Sequence, residues 1–525
     1  MVYQSLKTRL KQIVDSGQAA CLSESLIGLE KESLRVAESG SISQTPHPAA
    51  LGSALTNSAI TTDFSEALLE LITPPCSSVK QALSYLDDIQ RFVYSKLDNE
   101  TLWATSMPCV VRGGGSIPIA QYGDSNIGTM KTVYRRGLGY RYGRSMQVIA
   151  GVHFNYSVSE SFWDLYKKLQ GDTGDSQDFI SEQYMGLVRN MLRFGWMIPY
   201  LFGASPAVCK SFLHEKPTML SEFNEFTLYE PYATSLRMGD IGYTNSQEDM
   251  AGIKADYSSI DAYIKSLQCA IEKPYAAYDE IGVKVDGEYR QLNANILQIE
   301  NEYYSTIRPK QIALKDEKPT TALRKRGVSY VEIRSIDVNA FDPLGVNDEQ
   351  LYFLETFVLF CLLQESPVLN PMEMTEVDMN LVQVAHYGRQ PGLKLNRHDQ
   401  SVALKDWALE LCGAMQEVAD LLDEVNQCDC YSKSLAAQIE CVNDPSKTPS
   451  ARMLEEMREH EEGFFHFAQR KSLKYLDYFK SRELSPERRQ FFESLTQESL
   501  LQQQEIELSD SLSFDEYLQQ YFSNR

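Results

Sequence analysis

The chain has 525 residues, of which 43% are hydrophobic and 23% charged, with a formal net charge of −22. That length buries a large core and leaves room for two to four units. The acidic balance argues against a nucleic-acid backbone or an anionic membrane as partner, since both repel it; a local cluster of arginines and metal ions still admits ATP. The start, Met1 to Lys7, lacks the apolar stretch of a secretory signal. The longest run of large apolar residues, Phe357 to Leu363, is far short of a membrane span. The chain therefore reads as a cytoplasmic, soluble enzyme. Ten cysteines are scattered, with only Cys428 and Cys430 close together. No pair of Cys-x-x-Cys knuckles points to structural zinc, and the thiols are expected to be mostly reduced.

In chain order, Leu6, Leu10, Ile13 and Val14 have helical spacing. Ile27 to Glu32 follows as a strand. Its period of two sets Glu30 and Glu32 on one face, where they repel unless cations lie between them. An exposed edge strand is the alternative. Ser39 to Ser58 reads as a surface loop. Within Ile60 to Ile72, Glu66 and Glu70 share strand parity, and Asp63 joins their site only from a bend before the strand. Val79 to Leu97 returns to helical spacing. Thr105 to Tyr142 is polar, aromatic and Gly-rich, and reads as a functional loop without P-loop or dinucleotide order. Within it, Arg112 to Gly115 is a candidate moving cover.

From Gln147 to Val158 alternation is clean. Gln147, Gly151, His153, Asn155 and Ser157 take a polar face, with Ile149 the one exception, and Val148, Ala150, Val152, Phe154 and Tyr156 supply the apolar one. Tyr184 to Leu192 marks a buried helix ending before Pro199, and Ala233 to Tyr243 a functional loop. Gln291 to Ile299 and Ser329 to Arg334 are two further strands, the second with Glu332 and Arg334 on one face. The alternative for that pair is a cross-sheet salt bridge. After Asp342 to Gly345 the chain turns helical with little chemistry. Leu404 to Val425 holds an apolar stripe, and Ser485-Pro486-Glu487 starts a helix. The expected division is a catalytic region over 1–345 and a mainly helical region over 346–525 packed on it.

Glu30, Glu32, Glu70, His153, Glu332 and Arg334, with Asp63 adjacent, form a carboxylate nest with one imidazole. This suits divalent metals with oxygen ligands, and the imidazole tilts one site toward tolerance of Mn2+ beside Mg2+. With an arginine beside it, such a nest fits phosphoryl transfer. Gly28-Leu29-Glu30-Lys31-Glu32-Ser33-Leu34-Arg35, Thr62 to Glu70, Gly151-Val152-His153-Phe154-Asn155, Ile299 to Glu302, Ile307 to Lys310 and Tyr330 to Ser335 resemble the proteobacterial glutamate–cysteine ligases. The resemblance is dense over about residues 20–350 and thinner beyond.

It implies an α+β fold whose curved antiparallel sheet forms a funnel, like the catalytic sheet of glutamine synthetase. It implies ATP-dependent joining of L-glutamate to L-cysteine through γ-glutamyl phosphate, the first step of glutathione synthesis, with inhibition by glutathione. Glu30, Glu32, Asp63, Glu70, His153 and Glu332 would hold the metals, Arg334 would meet the γ-phosphate, and Arg237, Tyr243, Tyr134 and Tyr304 would line the cysteine pocket. Gln147 and Asn155 are candidates for glutamate. A ligase joining glutamate to another amine, and an acidic metal-binding scaffold without turnover, are the alternatives.

Overall fold

A 12-residue strand, β1 (Leu26–Ala37), is the spine of the fold. The structure is a computed structural model that describes residues 3–213, 218–242, 254–314 and 317–523. β1 pairs antiparallel with β3 (Leu68–Ile72), β4 (Glu100–Leu102) and β5 (Gly151–Ser157). β2 (Ile60–Thr62) extends the sheet beyond β3, while β7 (Tyr330–Asp337) and then β6 (Ile307–Lys310) extend it beyond β5. The result is a seven-stranded antiparallel sheet in the order β6-β7-β5-β1-β3-β2, with β4 against β1. Helices surround it, which makes the fold α+β.

Alternation decides what each face of β1 does. Ile27 and Leu29 are buried in the core, and Lys31 on the same face is also buried, its Nζ donating to Gln90 Oε1 at 2.6 Å on the helix Val79–Lys96. Glu30 and Glu32 are left on the opposite face. Behind the sheet the helix Asp348–Leu363 is apolar on nearly every side and buried along most of its length, as expected of a helix enclosed by others. It packs on the helices Ser176–Phe194, Leu404–Asn426 and Cys430–Asn443. No helix among the described residues is long and apolar enough to cross a membrane.

Several expectations change. Gln291 to Ile299 is no strand: side chains stitch it into an irregular segment, with Arg141 Nε donating to Gln291 Oε1 at 2.9 Å and Asn293 Nδ2 to the Gln298 carbonyl at 2.9 Å. Its alternating Gln and Asn serve local bonds instead of a ladder. The second half of Thr105 to Tyr142 is a helix, Asn126–Tyr142, capped by Ser125 on the Gly128 amide. Gln147 lies in a 3₁₀ turn, Met146–Val148, before β5 begins. Beyond residue 346 a hairpin, Lys394–Arg397 with Gln400–Ala403, interrupts the helices. Cys109 and Cys209 are joined by a disulfide, against the expectation of mostly reduced thiols for that pair; the other eight cysteines are free.

Candidate active site

Strand register assembles the site. Glu30 on β1 lies opposite His153 on β5, Glu32 lies opposite Glu70 on β3, and Glu332 on β7 lies opposite Asn155 on β5. Residues directly opposite share a face, so four strands drawn from residues 26 to 337 present one nest. Asp63 enters from the bend after β2, where its amide donates to the Leu68 carbonyl at 3.0 Å. That is the condition under which it could join Glu70. Glu66, of like parity, does not join: its carboxylate receives the His47 and Gln121 amides at 2.5 and 2.6 Å and fixes the turn.

Distances within the nest are short. His153 Nδ1 lies 3.1 Å from Glu30 Oε2 and 3.9 Å from Glu332 Oε1, while its Nε2 lies 3.8 Å from Glu32 Oε1. Glu30, His153 and Glu332 each offer an atom within 4.8 Å of the others, a spacing that fits one ion. Glu332 Oε2 is buried without a hydrogen-bond partner. A buried orphan acceptor beside an imidazole and a second carboxylate fits a divalent cation. Glu32 Oε2 accepts the Gly151 amide at 2.6 Å, and Asn155 Nδ2 donates to Glu30 Oε1 at 2.8 Å.

Cations rim the nest. Glu332 Oε1 lies 3.2 Å from Arg334 Nη1 and 3.4 Å from Lys310 Nζ. Burial raises the Glu332 carboxyl, but Lys310 and Arg334 outweigh it and hold its pKa well below the usual range. Burial likewise opposes Glu30, whose hydrogen bond to His153 brings it below its ordinary value. On the β3 side the balance reverses. Burial, then the charges of Glu30, Asp63 and Glu32, push Glu70 well up, and burial also raises Glu32. The nest thus has an ionised half beside the cations and a half that repels itself.

Glu30, Glu32, Asp63, Glu70, His153, Glu332, Arg334 and Tyr134 line one cavity of about 810 Å³. Arg237 lies behind it, buried, with Nη2 donating to the Arg334 carbonyl at 2.8 Å and Nη1 3.6 Å from Asp337. A Cβ on Gly151 would collide with this guanidinium, so glycine is what admits it between β5 and the nest. Tyr304 stands beside Met238, its hydroxyl 3.5 Å from the sulfur. Gln147 is buried but outside the cavity lining, and Tyr243 lies outside the described residues.

Sequence reasoning gave no role to Lys310, Arg308, Arg135 or Lys131, which line the same cavity. Arg308 lies opposite Glu332 in the register, and the spacing of Arg308 and Lys310 was the available signal. Residues 346–525 also contribute: Asp510, Tyr517 and Tyr521 close one side of the cavity. The helix Phe514–Ser523 is held there by Leu518 against Met130 and Val133, and by Tyr289, whose hydroxyl donates to Asp515 at 2.6 Å. Sequence reasoning did not anticipate that this region would line the cavity.

An antiparallel sheet face with a carboxylate–imidazole nest rimmed by arginine and lysine defines the class of enzyme sites that handle divalent metals and phosphate. The family model for glutamate-cysteine ligase matches residues 10–384. The chain is 47% identical over 522 residues to the glutamate–cysteine ligase of Alcanivorax borkumensis, covering 98% of this chain and 99% of that protein. It is 48% identical over 500 residues to the enzyme of the same name from Pseudomonas putida, covering 95% of each. The solved glutamate–cysteine ligase of Francisella tularensis, in complex with AMP, superposes with a TM-score of 0.89 at 37% identity, over 95% of this chain and 98% of that one. The chain belongs to the glutamate–cysteine ligase family.

Proposed function

We propose that the protein joins the γ-carboxylate of L-glutamate to the amine of L-cysteine at the expense of ATP, releasing γ-glutamylcysteine, ADP and phosphate, the first step of glutathione synthesis. The observation that carries this is the Glu30–His153–Glu332 cluster with Arg334 against it, inside a cavity of about 810 Å³, a volume in the range of nucleotide-sized ligands. Glu30, His153 and Glu332 would hold one Mg2+, with Mn2+ tolerated, and Glu32, Asp63 and Glu70 would hold further metal. Bound metal neutralises the triphosphate. Asn155 and Gln147 are assigned to glutamate, and Arg237, Tyr134, Tyr304 and Tyr243 to cysteine.

A carboxylate does not acylate an amine unaided, so it is activated first. A γ-carboxylate oxygen attacks the γ-phosphorus, and the bond to ADP breaks, giving γ-glutamyl phosphate. The cysteine nitrogen, having lost a proton, then attacks the carbonyl carbon, and phosphate leaves from the tetrahedral intermediate. Arg334 donates to the oxygens of the transferred phosphoryl group, where charge builds, and Lys310 supports it. Arg237 takes the cysteine carboxylate. Tyr517 and Tyr521 close the cavity, and with the Arg112–Gly115 segment they exclude water from the acyl phosphate. This reading carries with it a sheet curved into a funnel and product-end inhibition by glutathione.

The test is ADP release with each substrate omitted in turn, together with transfer of ¹⁸O from the glutamate γ-carboxylate to inorganic phosphate. The reading requires dependence on glutamate and cysteine and label in the phosphate. Equal turnover with other amines in place of cysteine identifies a different ligase, and no ADP under any combination identifies a scaffold.

A further inference from the structure

Away from the sheet, a second cavity of about 800 Å³ lies between the 388–393 loop, the start of the helix Leu404–Asn426, and the helices Cys430–Asn443 and Pro449–Glu459. That volume is in the range of small-molecule sites. Tyr200, Tyr232 and Leu393 give it an apolar and aromatic wall, while Arg389, Lys405 and Arg458 bring positive charge. Glu455 and Glu459 also line it, so three cations against two carboxylates leave one net positive charge.

Arg389 is the feature that calls for a ligand. Its Nε donates to the Ala233 carbonyl at 3.2 Å, and its Nη2 donates to the Pro231 and Ala233 carbonyls at 2.9 and 3.0 Å. Burial, then the like charge of Arg458, bring its pKa down to about 10. Among the described residues this part-buried guanidinium is bonded to carbonyls and paired with no carboxylate, while it faces another arginine, so it calls for a counter-ion.

We propose that this cavity binds a small organic molecule with a single anionic head, a carboxylate or a phosphate, on an apolar or aromatic body. Arg389 and Arg458 take the head, and Tyr200, Tyr232 and Leu393 enclose the body. The two carboxylates set the preference for one head over a polyanion.

The same guanidinium is tied to the substrate side. The Arg389 amide donates to the Tyr232 carbonyl at 3.1 Å, and the Thr234 and Ser235 amides donate to the Ala385 carbonyl at 2.9 and 3.2 Å. The clamped segment runs directly into Arg237. A head group that draws on Arg389 therefore alters how residues 231–235 are held, and cysteine binding changes with it; by linkage cysteine alters the affinity of the cavity equally. This coupling rests on the role proposed for Arg237, whereas binding itself does not.

The experiment titrates 2-naphthoate, 1-naphthyl phosphate and inorganic phosphate into the full-length protein by calorimetry. The active site is kept filled with glutamate, Mg2+ and a non-hydrolysable ATP analogue. One or both naphthyl probes bind the native chain, which identifies the head group, and inorganic phosphate binds at least tenfold more weakly. Arg389→Gln weakens the probe tenfold or more. Arg458→Glu, on an exposed position that leaves folding intact, does the same, and the bound probe raises or lowers the KM for cysteine without moving that for ATP. Absence of binding by both naphthyl probes at millimolar concentration, unchanged affinity in Arg458→Glu, or inorganic phosphate binding as tightly as the naphthyl probes overturns the proposal. Because calorimetry needs no turnover, the binding results stand whether or not glutamate and cysteine prove to be the substrates, and only the KM for cysteine depends on that reading.

Discussion

Glu70→Gln separates what the acidic nest does for stability from what it does for metal. Glu70 lies half-buried opposite Glu32, with Glu30 and Asp63 also acting on it. Two ionised carboxylates about 5 Å apart repel by about 3 kcal/mol at an effective dielectric constant near 20. Raised well above its ordinary carboxyl value by burial and by these neighbours, Glu70 escapes part of that repulsion by taking up a proton, and the rest remains a cost to the metal-free protein. The amide removes it, so in EDTA the variant should unfold a few degrees above the native chain. Magnesium at a hundred times its Kd should stabilise the native protein by about 2.7 kcal/mol for each site, and the variant should lose most of the gain from the site built on Glu32, Asp63 and Glu70. Calorimetric scans with EDTA and with Mg2+ read both effects. A variant less stable in EDTA that keeps the full magnesium shift refutes the reasoning.

Arg334→Ala should lower kcat about 10³-fold with a small change in the KM for cysteine if, as proposed, its guanidinium meets the transferred phosphoryl group; steady-state rates with each substrate varied show whether the loss falls there. Asp337 is buried beneath Arg237 and receives the Ala204 amide at 2.8 Å and the Ser205 and Ser235 hydroxyls at 2.5 and 3.0 Å. Asp337→Asn should raise the KM for cysteine about tenfold more than that for ATP, and parallel changes in both would contradict a positioning role. Burial raises Glu355 to about 8, with Tyr431 donating to it at 3.0 Å. The folded chain then holds a proton that the unfolded chain releases near 4.5, so stability falls as pH rises from about 4.5 to about 8, by up to about 1.4 kcal/mol per unit. Glu355→Gln should flatten the pH dependence of Tm in that window, and an unchanged slope would rule the group out.

The site was legible where period two carried it. Glu30 with Glu32, and Glu332 with Arg334, announce a polar strand face whatever the strands' order, and His153 stands on the one strand whose alternation is nearly perfect. Asp63 depended on a bend that only the β2–β3 connection could settle. Gln291 to Ile299 misled because alternating amides look like a strand face, yet Arg141 and Gln298 use them to pin a loop. The helix Asn126–Tyr142 was hidden by its glycines, which lower helix propensity but here serve close packing against Tyr122 and Gln298. Tyr517 and Tyr521 carry no local signal at all. Their place over the cavity comes from the packing of Leu518 on Met130 and Val133, a contact across nearly 400 residues.

The most direct test is anomalous diffraction from crystals grown with Mn2+, glutamate and a non-hydrolysable ATP analogue. The account predicts one manganese peak among Glu30, His153 and Glu332, a second beside Glu32 and Glu70, and the terminal phosphate within hydrogen-bond reach of Arg334. Manganese bound elsewhere, or a triphosphate directed away from that arginine, would contradict it.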